Sequence, residues 1–545
     1  MLKRLWLTGS VSLIVMAALA AVIAVSASAG TAKKTASSTL PLAVAVSDVD
    51  FSDPALAYGV LSWEIEYETC SKLINYPDVG GAAGGVLQPE DATAMPTISA
   101  DGKTYTFTIK SGLKFSDGAP ITAQDFAYAI NRDANPTMQS PVVPFITDIV
   151  GLNAVVNKTA QSVSGVVAKG NTLTIKLTQK DGGLLNKLAM PFFCAIEPSK
   201  TPINPQGVTT LPGSGPYYIA SRDIGKQLVL KTNPFYKGSR PHRSSTIVFT
   251  MNTASQQTYL EVANGTYAAD PTGLDSPTAA AQLAQQYGIN KTRFFVNPLQ
   301  ETDYLALNTA RPTFGTFAAR RAANYAIDRP AVLRTRGFLP GKRTTQILPP
   351  ALAGGFWGAK LYPEKGADPT TAKKLLGSQS CGNINLWGGT SPTNIAQEGI
   401  VSYNLKQMGC NVTLKQFAGF AIYVAAGNQG ADYDIMFAGW NADYPDAYDF
   451  FHILLDGRTI HASNNNNLAY INNATLNKGI DAADALTGDA RAKAFGKLDI
   501  YTMSKLAPWI SIDNRAQRDF VGPNTAGYIF QPAYAAMDLG TLYLK

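Results

Sequence analysis

The segment KFSDGAPITAQDFAYAINR, Lys114 to Arg132, constrains the fold of this chain more than any other, because it couples a strand, a turn and a capped helix in one unit. Just ahead of it, Tyr105, Phe107 and Ile109 alternate with Thr104, Thr106, Thr108 and Lys110. That period of two marks a strand with one buried face. Asp117-Gly118 supplies a turn, and Thr122 then opens a helix. Thr122 stands three residues before Asp125 in a Thr-x-x-Asp arrangement close to a capping box, and Phe126, Ala129 and Ile130 recur at helical spacing.

At 545 residues the chain is too long for one hydrophobic core, since cores stop growing at roughly 250–300 residues and longer chains split. Two or more lobes are expected. A hydrophobic fraction of 46%, with 10% aromatic and 16% charged residues, gives ample apolar surface to bury and excludes wholesale disorder. Residues 1–29 have the build of an export signal. Lys3 and Arg4 form the basic start, Leu5 to Val25 the apolar stretch, and Ala27-Ser28-Ala29 a cleavage site before Gly30. An uncleaved anchor is the alternative, because the apolar stretch is close to the roughly 20 residues that span a bilayer. No Cys follows it, so a lipobox is not supported, and TAKKTASST, Thr31 to Thr39, reads as a polar linker. Removal of the signal takes two of the 46 basic residues and none of the 39 acidic ones, leaving a net charge of +5. The excess is scattered, and a nucleic-acid binder is excluded.

Further strands and helices follow. LPLAVAVS, Leu40 to Ser47, reads as a strand, and Tyr58 to Ile74 as a helix. In LPGSGPYYIASRDIGKQLVLKTNPFY, Gly213 and Gly215 are expected to permit a tight turn. Tyr217 and Ile219 pair with Leu228 and Leu230 in a hairpin that ends at Asn233-Pro234. ETDYLALNT, Glu301 to Thr309, is a strand. FAARRAANYAIDRPAVL, Phe317 to Leu333, is a helix broken at Pro330, and Asp368-Pro369 starts another. Asn464 to Asn467 reads as a surface loop.

Four of these stretches occur in the order of a known family: the Lys114–Arg132 unit, the Gly-x-Gly-Pro-Tyr strand with its Asn-Pro-x-Tyr turn, the Arg-x-Ala-x-x-x-Ala-Ile-Asp helix, and the helix after Tyr362-Pro363. Together they resemble the family 5 solute-binding proteins of ABC importers, which bind oligopeptides, dipeptides, nickel complexes and some oligosaccharides. The resemblance implies an α/β, two-lobed, class II periplasmic-binding-protein-like fold, with a subdomain inserted in the first lobe and a hinge of two crossing strands. It divides the chain into a signal (1–29), a linker (30–39), a first lobe in three parts (40–77, 205–300 and 505–545), an insert (78–204) and a second lobe (301–504). It implies an exported protein, periplasmic or on the cell surface, that captures oligopeptides between its lobes. Its partners would be permease and ATPase subunits, with the chain itself a monomer touching the membrane only through the signal segment or the permease. An oligosaccharide or metal chelate is the alternative ligand. A surface sensor or hydrolase without a permease is the alternative of another class.

Cys70, Cys194, Cys381 and Cys410 make an even number in an exported chain, where disulfides persist. Three connectivities are possible. Cys381 leads CGNINLW and Cys410 leads CNVTLKQF with a helical stretch between, which puts both at one end of neighbouring parallel strands and favours Cys381–Cys410, leaving Cys70–Cys194. Four buried free thiols are the alternative.

FAGWNADYPDAYDFF holds what a closed peptide site needs: a carboxylate, aromatic walls and a turn presenting them together. In the family's oligopeptide binders the acid of this Trp-x-x-Asp pattern pairs with the ligand's ammonium, and Asp443 matches that position. The competing role for Asp443 and Asp446 is to cap the following helix. Trp440 and Tyr444 flank Asp443 as wall or core residues, and Trp63, Trp387 and Tyr304 are further lining candidates. Asp125 and Arg132 read as fold determinants. No Gly-x-Ser-x-Gly elbow, His-Glu-x-x-His pair or Ser-x-x-Lys set is present, and the three His, at 242, 452 and 461, lack ligand spacing. No enzyme activity, metal or cofactor is expected.

Overall fold

The computed structural model describes residues 39–545 except 47, 275, 353, 354 and 380. The expected signal segment and almost all of the linker lie outside the described residues. No helix among the described residues is long and apolar enough to cross a membrane.

Three sheets organise the chain. The first has the order Thr39–Ala43, Thr246–Thr250, Gln227–Thr232, Tyr217–Asp223. The 39–43 strand runs parallel to its neighbour and the rest are antiparallel. Its buried face of Leu40, Leu42, Ile247 and Phe249 packs with Val521, Met537, Leu539 and Leu542, so the end of the chain completes the first lobe. The second sheet, Thr97–Ile98, Thr104–Thr108, Thr172–Lys176, Val166–Lys169, is wholly antiparallel. Tyr105 and Phe107 point inward from it, as the alternation requires. The helix Ala123–Ala134 lies against this sheet. Thr122 caps it: Asp125 Oδ2 accepts from the Thr122 N–H at 2.7 Å, and Thr122 Oγ1 accepts from the Gln124 N–H at 3.3 Å.

Arg132, from the last turn of that helix, reaches out of the second sheet's core to Asp53 near the start of the described chain. Its two terminal nitrogens donate to the two oxygens of Asp53 at 2.6 Å each, with both side chains fully buried. Cys70 and Cys194 are disulfide-bonded in the same region. Close backbone packing explains one expected glycine differently. Gly215 has no left-handed backbone. A Cβ there would stand 2.6 Å from the Glu68 carbonyl oxygen, so the residue gives room rather than a turn. The hairpin itself forms in the expected register, with Ile219 opposite Leu230.

The third sheet has six strands in the order Gly341–Arg343, Trp509–Phe520, Phe294–Leu307, Ile435–Asn441, Asn383–Gly389, Asn411–Phe417. Asn383–Gly389 and Asn411–Phe417 are parallel, joined by the helix Pro392–Met408, and the Cys381–Cys410 disulfide ties their starts. The two longest strands, Phe294–Leu307 and Trp509–Phe520, run antiparallel from one lobe to the other. At one end Phe294 and Phe520 pack with Val262 and Leu283 in the first lobe. At the other, Leu305, Leu307, Ile510 and Ile512 belong to the second lobe's core. The register shifts between Pro298 and Thr302, where the pair passes between the lobes.

Other local expectations are revised. The helix expected over Tyr58–Ile74 spans Val60–Thr69, and Ile74–Asn75 is a short strand. The helix from Phe317 ends at Ala326, and a second one spans Arg329–Arg334. Pro330 sits in the first turn of this second helix, where its missing N–H costs nothing, and Asp328 caps it by accepting from the Ala331 N–H at 2.9 Å. The Asn464–Asn467 stretch is a loop whose Asn464 and Asn466 are exposed as expected, while Asn465 and Asn467 turn inward. Their carboxamides donate to the carbonyls of Gly427, His461, Asp456 and Ile471, supplying the hydrogen bonds that buried irregular backbone needs.

Candidate ligand cleft between the lobes

Where the two long strands cross, their polar side chains form the floor of a cleft. Arg515 stands 3.2 Å from Glu301 and 3.8 Å from Asp303, and Arg336 contacts both Asp303 and Asp513. Gly439 makes this possible, since a Cβ on it would collide with the Asp303 carboxylate. Two cavities, of about 470 and about 650 Å³, lie on either side and share Glu301, Asn441 and Arg515. They are two halves of one cleft. The smaller is walled mainly by the second lobe, with Tyr304, Tyr423 and Phe437, and the larger mainly by first-lobe residues, including 48–50, 59–62, Glu64 and 271–274.

Beside the shared Asn441 the chain turns from the strand Ile435–Asn441 into the helix Ala447–Leu455, and Asp443 sits in that turn. The capping role belongs to Asp446, whose Oδ1 accepts from the Tyr448 N–H at 2.8 Å. Asp443 is left free to face the first lobe. Its Oδ2 accepts from the Tyr58 hydroxyl at 2.8 Å, a hydrogen bond between the lobes, and neither residue lines either cavity. Behind it, the fully buried Asp449 accepts through Oδ2 from the Trp440 indole N–H at 2.8 Å and the Asp443 N–H at 3.1 Å. Burial pushes the Asp443 carboxyl well above the ordinary carboxylate range and the charge of Asp449 pushes it further, opposed by the hydrogen bond from Tyr58. Burial raises Asp449 too, against the N–H groups that Trp440 and Asp443 donate to it. Among the described residues no Lys or Arg forms an ion pair with either acid.

The remaining aromatic candidates divide. Trp63 packs edge-on to Tyr58 at 5.7 Å and to Phe192 at 5.6 Å, so it backs the residue that contacts Asp443. Trp440 holds Asp449, and Tyr304 lines the smaller cavity while stacked on Trp509 at 3.7 Å. Tyr444 turns away into the core against Phe145. Trp387 is buried against Phe417 and Tyr433 and lines neither cavity. Sequence reasoning passed over Tyr58, Asp449 and the Glu301–Arg515 floor. Asp449 alone had a local signal, as a second acid in the first turn of a helix already capped by Asp446.

Residues 86–461 match the bacterial extracellular solute-binding proteins, family 5 (middle region). The chain belongs to the family 5 solute-binding proteins of ABC importers. It is 25% identical over 417 residues to the probable D,D-dipeptide-binding periplasmic protein DdpA of Escherichia coli K12, covering 74% of this chain and 75% of the relative. To heme-binding protein A of Haemophilus influenzae it is 23% identical over 531 residues, 92% of this chain and 91% of the relative. In structure it is similar to clavulanic acid biosynthesis oligopeptide binding protein 2, with a TM-score of 0.84 at 22% identity, over 93% of this chain and 96% of the other. That likeness gives the fold, two lobes of class II.

Proposed function

We propose that this chain is the exported substrate-binding protein of a peptide importer, and that Asp443 pairs with the N-terminal ammonium of the bound peptide. The observation that carries the reading is Asp443 itself: a carboxylate between the lobes, backed by a second acid and touched from the other lobe by a neutral hydroxyl only. A buried carboxylate costs several kcal/mol unless paired, and an external ammonium supplies the pair. The names of the dipeptide- and oligopeptide-binding relatives point the same way. Tyr304 forms a wall, Trp63 and Trp440 back Tyr58 and Asp449, and Tyr444 and Trp387 pack behind them. The lobes divide as 40–77, 205–300 and 505–545 for the first, 78–204 for its insert and 301–504 for the second, with residues 1–29 an export signal that leaves no lipid-bearing cysteine. A ligand touching both lobes adds contacts that only the closed state has, so it draws the lobes together, and a permease recognises that closed shape. The role is capture and delivery without catalysis.

Calorimetry with one tetrapeptide in free and N-acetylated forms tests this, using the protein and its Asp443→Ala variant. Expected is a loss of at least about 100-fold for the free peptide in the variant and little change for the acetylated one. Equal loss for both forms would remove Asp443 from the role. Binding of haem or a sugar in place of either peptide would keep the importer and change its cargo.

A further inference from the structure

The larger half of the cleft holds an acid that the reading above leaves unused. Glu64 lies on the helix Val60–Thr69, which starts just after Tyr58, and is among the residues lining the cavity of about 650 Å³. It is 4% exposed. Its carboxylate makes no hydrogen bond or ion pair among the described residues, and Oε1 is wholly buried without a partner. The charged neighbours that act on it most strongly, Asp519, Asp270, Glu68 and Asp538, are all negative, and with burial they push its carboxyl well above the ordinary range. Asp519, fully buried, also keeps one oxygen without a partner, while its other accepts from the Tyr528 hydroxyl at 2.6 Å.

The cavity's own cations are committed elsewhere. Arg515 is held by Glu301 and Asp303, and Arg518 donates to the carbonyls of Arg336 and Phe338 at 3.2 and 3.0 Å. Asp48 takes Arg222 at 3.2 Å, and Asp50 is satisfied by backbone N–H groups and the Ser62 hydroxyl. Glu64 is therefore the lining acid with nothing to balance it. No group of three or more His, Cys, Asp or Glu side chains among the described residues is arranged for a metal ion. The cation that fits is organic.

We propose that this half of the cleft receives a basic side chain of the bound peptide, an ammonium or guanidinium, and that Glu64 is its partner. The proposal rests on the peptide reading and adds a side-chain preference to it. Asp443 and Glu64 would then take two different cations of one ligand, the first from the second lobe and the second from the first lobe. Both cations are paired at once only when the two lobes close on the same molecule.

The test is calorimetry with tetra-alanine peptides carrying Lys at each position in turn, each matched by norleucine, which keeps the alkyl chain and lacks the ammonium. At one position Lys is expected to bind at least about tenfold tighter than norleucine, the worth of one charge-assisted hydrogen bond. Glu64→Gln, which keeps shape and removes charge, should abolish that preference, bringing Lys and norleucine to equal affinity, and a far-ultraviolet circular dichroism spectrum and unfolding midpoint like the parent's show that the variant is folded. Equal Lys and norleucine affinities at every position, or a preference that survives in Glu64→Gln, would overturn the role of Glu64 while the peptide reading stands. Failure of every peptide to bind would overturn both.

Discussion

Residues 50–59 contribute to two buried carboxylate sites that differ in one respect. At the first, Asp53 meets Arg132 through two hydrogen bonds of 2.6 Å and also accepts from the N–H groups of Ala55 and Val208. At the second, Tyr58 meets Asp443, behind which stands Asp449, and among the described residues no cation pairs with either acid. The first site has its countercharge inside the chain, so it works as a joint that fixes the helix Ala123–Ala134 and its sheet to the first lobe. The second holds two acids that no cation of the fold balances, so burial holds them toward the protonated form. Burial without a partner weakens a fold. A site of that kind persists where something from outside supplies the missing charge.

The joint should show the largest effect. Arg132→Ala leaves Asp53 buried and unpaired and is expected to destabilise by about 3–5 kcal/mol in urea unfolding. Arg132→Lys should recover little of this, because one ammonium cannot make the two parallel bonds. A loss under about 1 kcal/mol would mean that the pair is ornamental and the contrast with Asp443 empty.

The open site should respond in the opposite sense. Asp443 and Asp449 bind protons more tightly in the folded chain than in the unfolded one, because burial raises both. Stability from this pair is therefore greatest at acid pH, below the ordinary carboxylate value. It declines as pH rises through the raised values, by about 1.4 kcal/mol for every tenfold gain in proton affinity on folding. Asp443→Asn should flatten that decline, giving unfolding temperatures that fall less between about pH 4.5 and 7.5 than those of the parent protein. Identical pH profiles would show that the acid pair is not under the electrostatic strain described. Binding should follow the same ionisation with opposite benefit. Affinity for a peptide with a free N-terminus is expected to rise with pH above the ordinary carboxylate range as Asp443 loses its proton, then fall again near about pH 8 as the peptide's amine does the same. The acetylated peptide should show neither limb.

The two sites also differ in how far they could be read beforehand. The helix that carries Arg132 was legible because each signal in it is local: alternation in residues 104–110, the Thr122–Asp125 cap, and apolar residues at helical spacing. The parallel strands led by Cys381 and Cys410 were legible for the same reason. Pro330 misled because a proline that ends one helix and a proline that starts the next look alike in sequence. Asp443 is singled out by the family's Trp-x-x-Asp motif. Tyr58 and Glu64 were not found, because what makes them notable is a partner 385 residues away in one case and the lack of any partner in the other. The Glu301–Arg515 floor likewise joins strands 214 residues apart. Spacing along the chain carries no trace of such contacts.

The smallest effect is the most informative about closure. Tyr58→Phe deletes one hydroxyl and leaves the ring in its packing with Trp63 and Phe192. Its hydrogen bond to Asp443 joins the two lobes and also favours the ionised carboxylate, so its removal should do two things. Closure loses one contact, weakening free and acetylated peptides alike by about 0.5–1.5 kcal/mol. Asp443 also becomes harder to ionise, which moves the acid limb of the free peptide's affinity profile to higher pH and leaves the acetylated peptide flat. A gain in affinity for the free peptide would reverse the assignment. Tyr58 would then be occupying the place of the ligand's ammonium in the empty protein, and the peptide would have to displace it before the lobes could close.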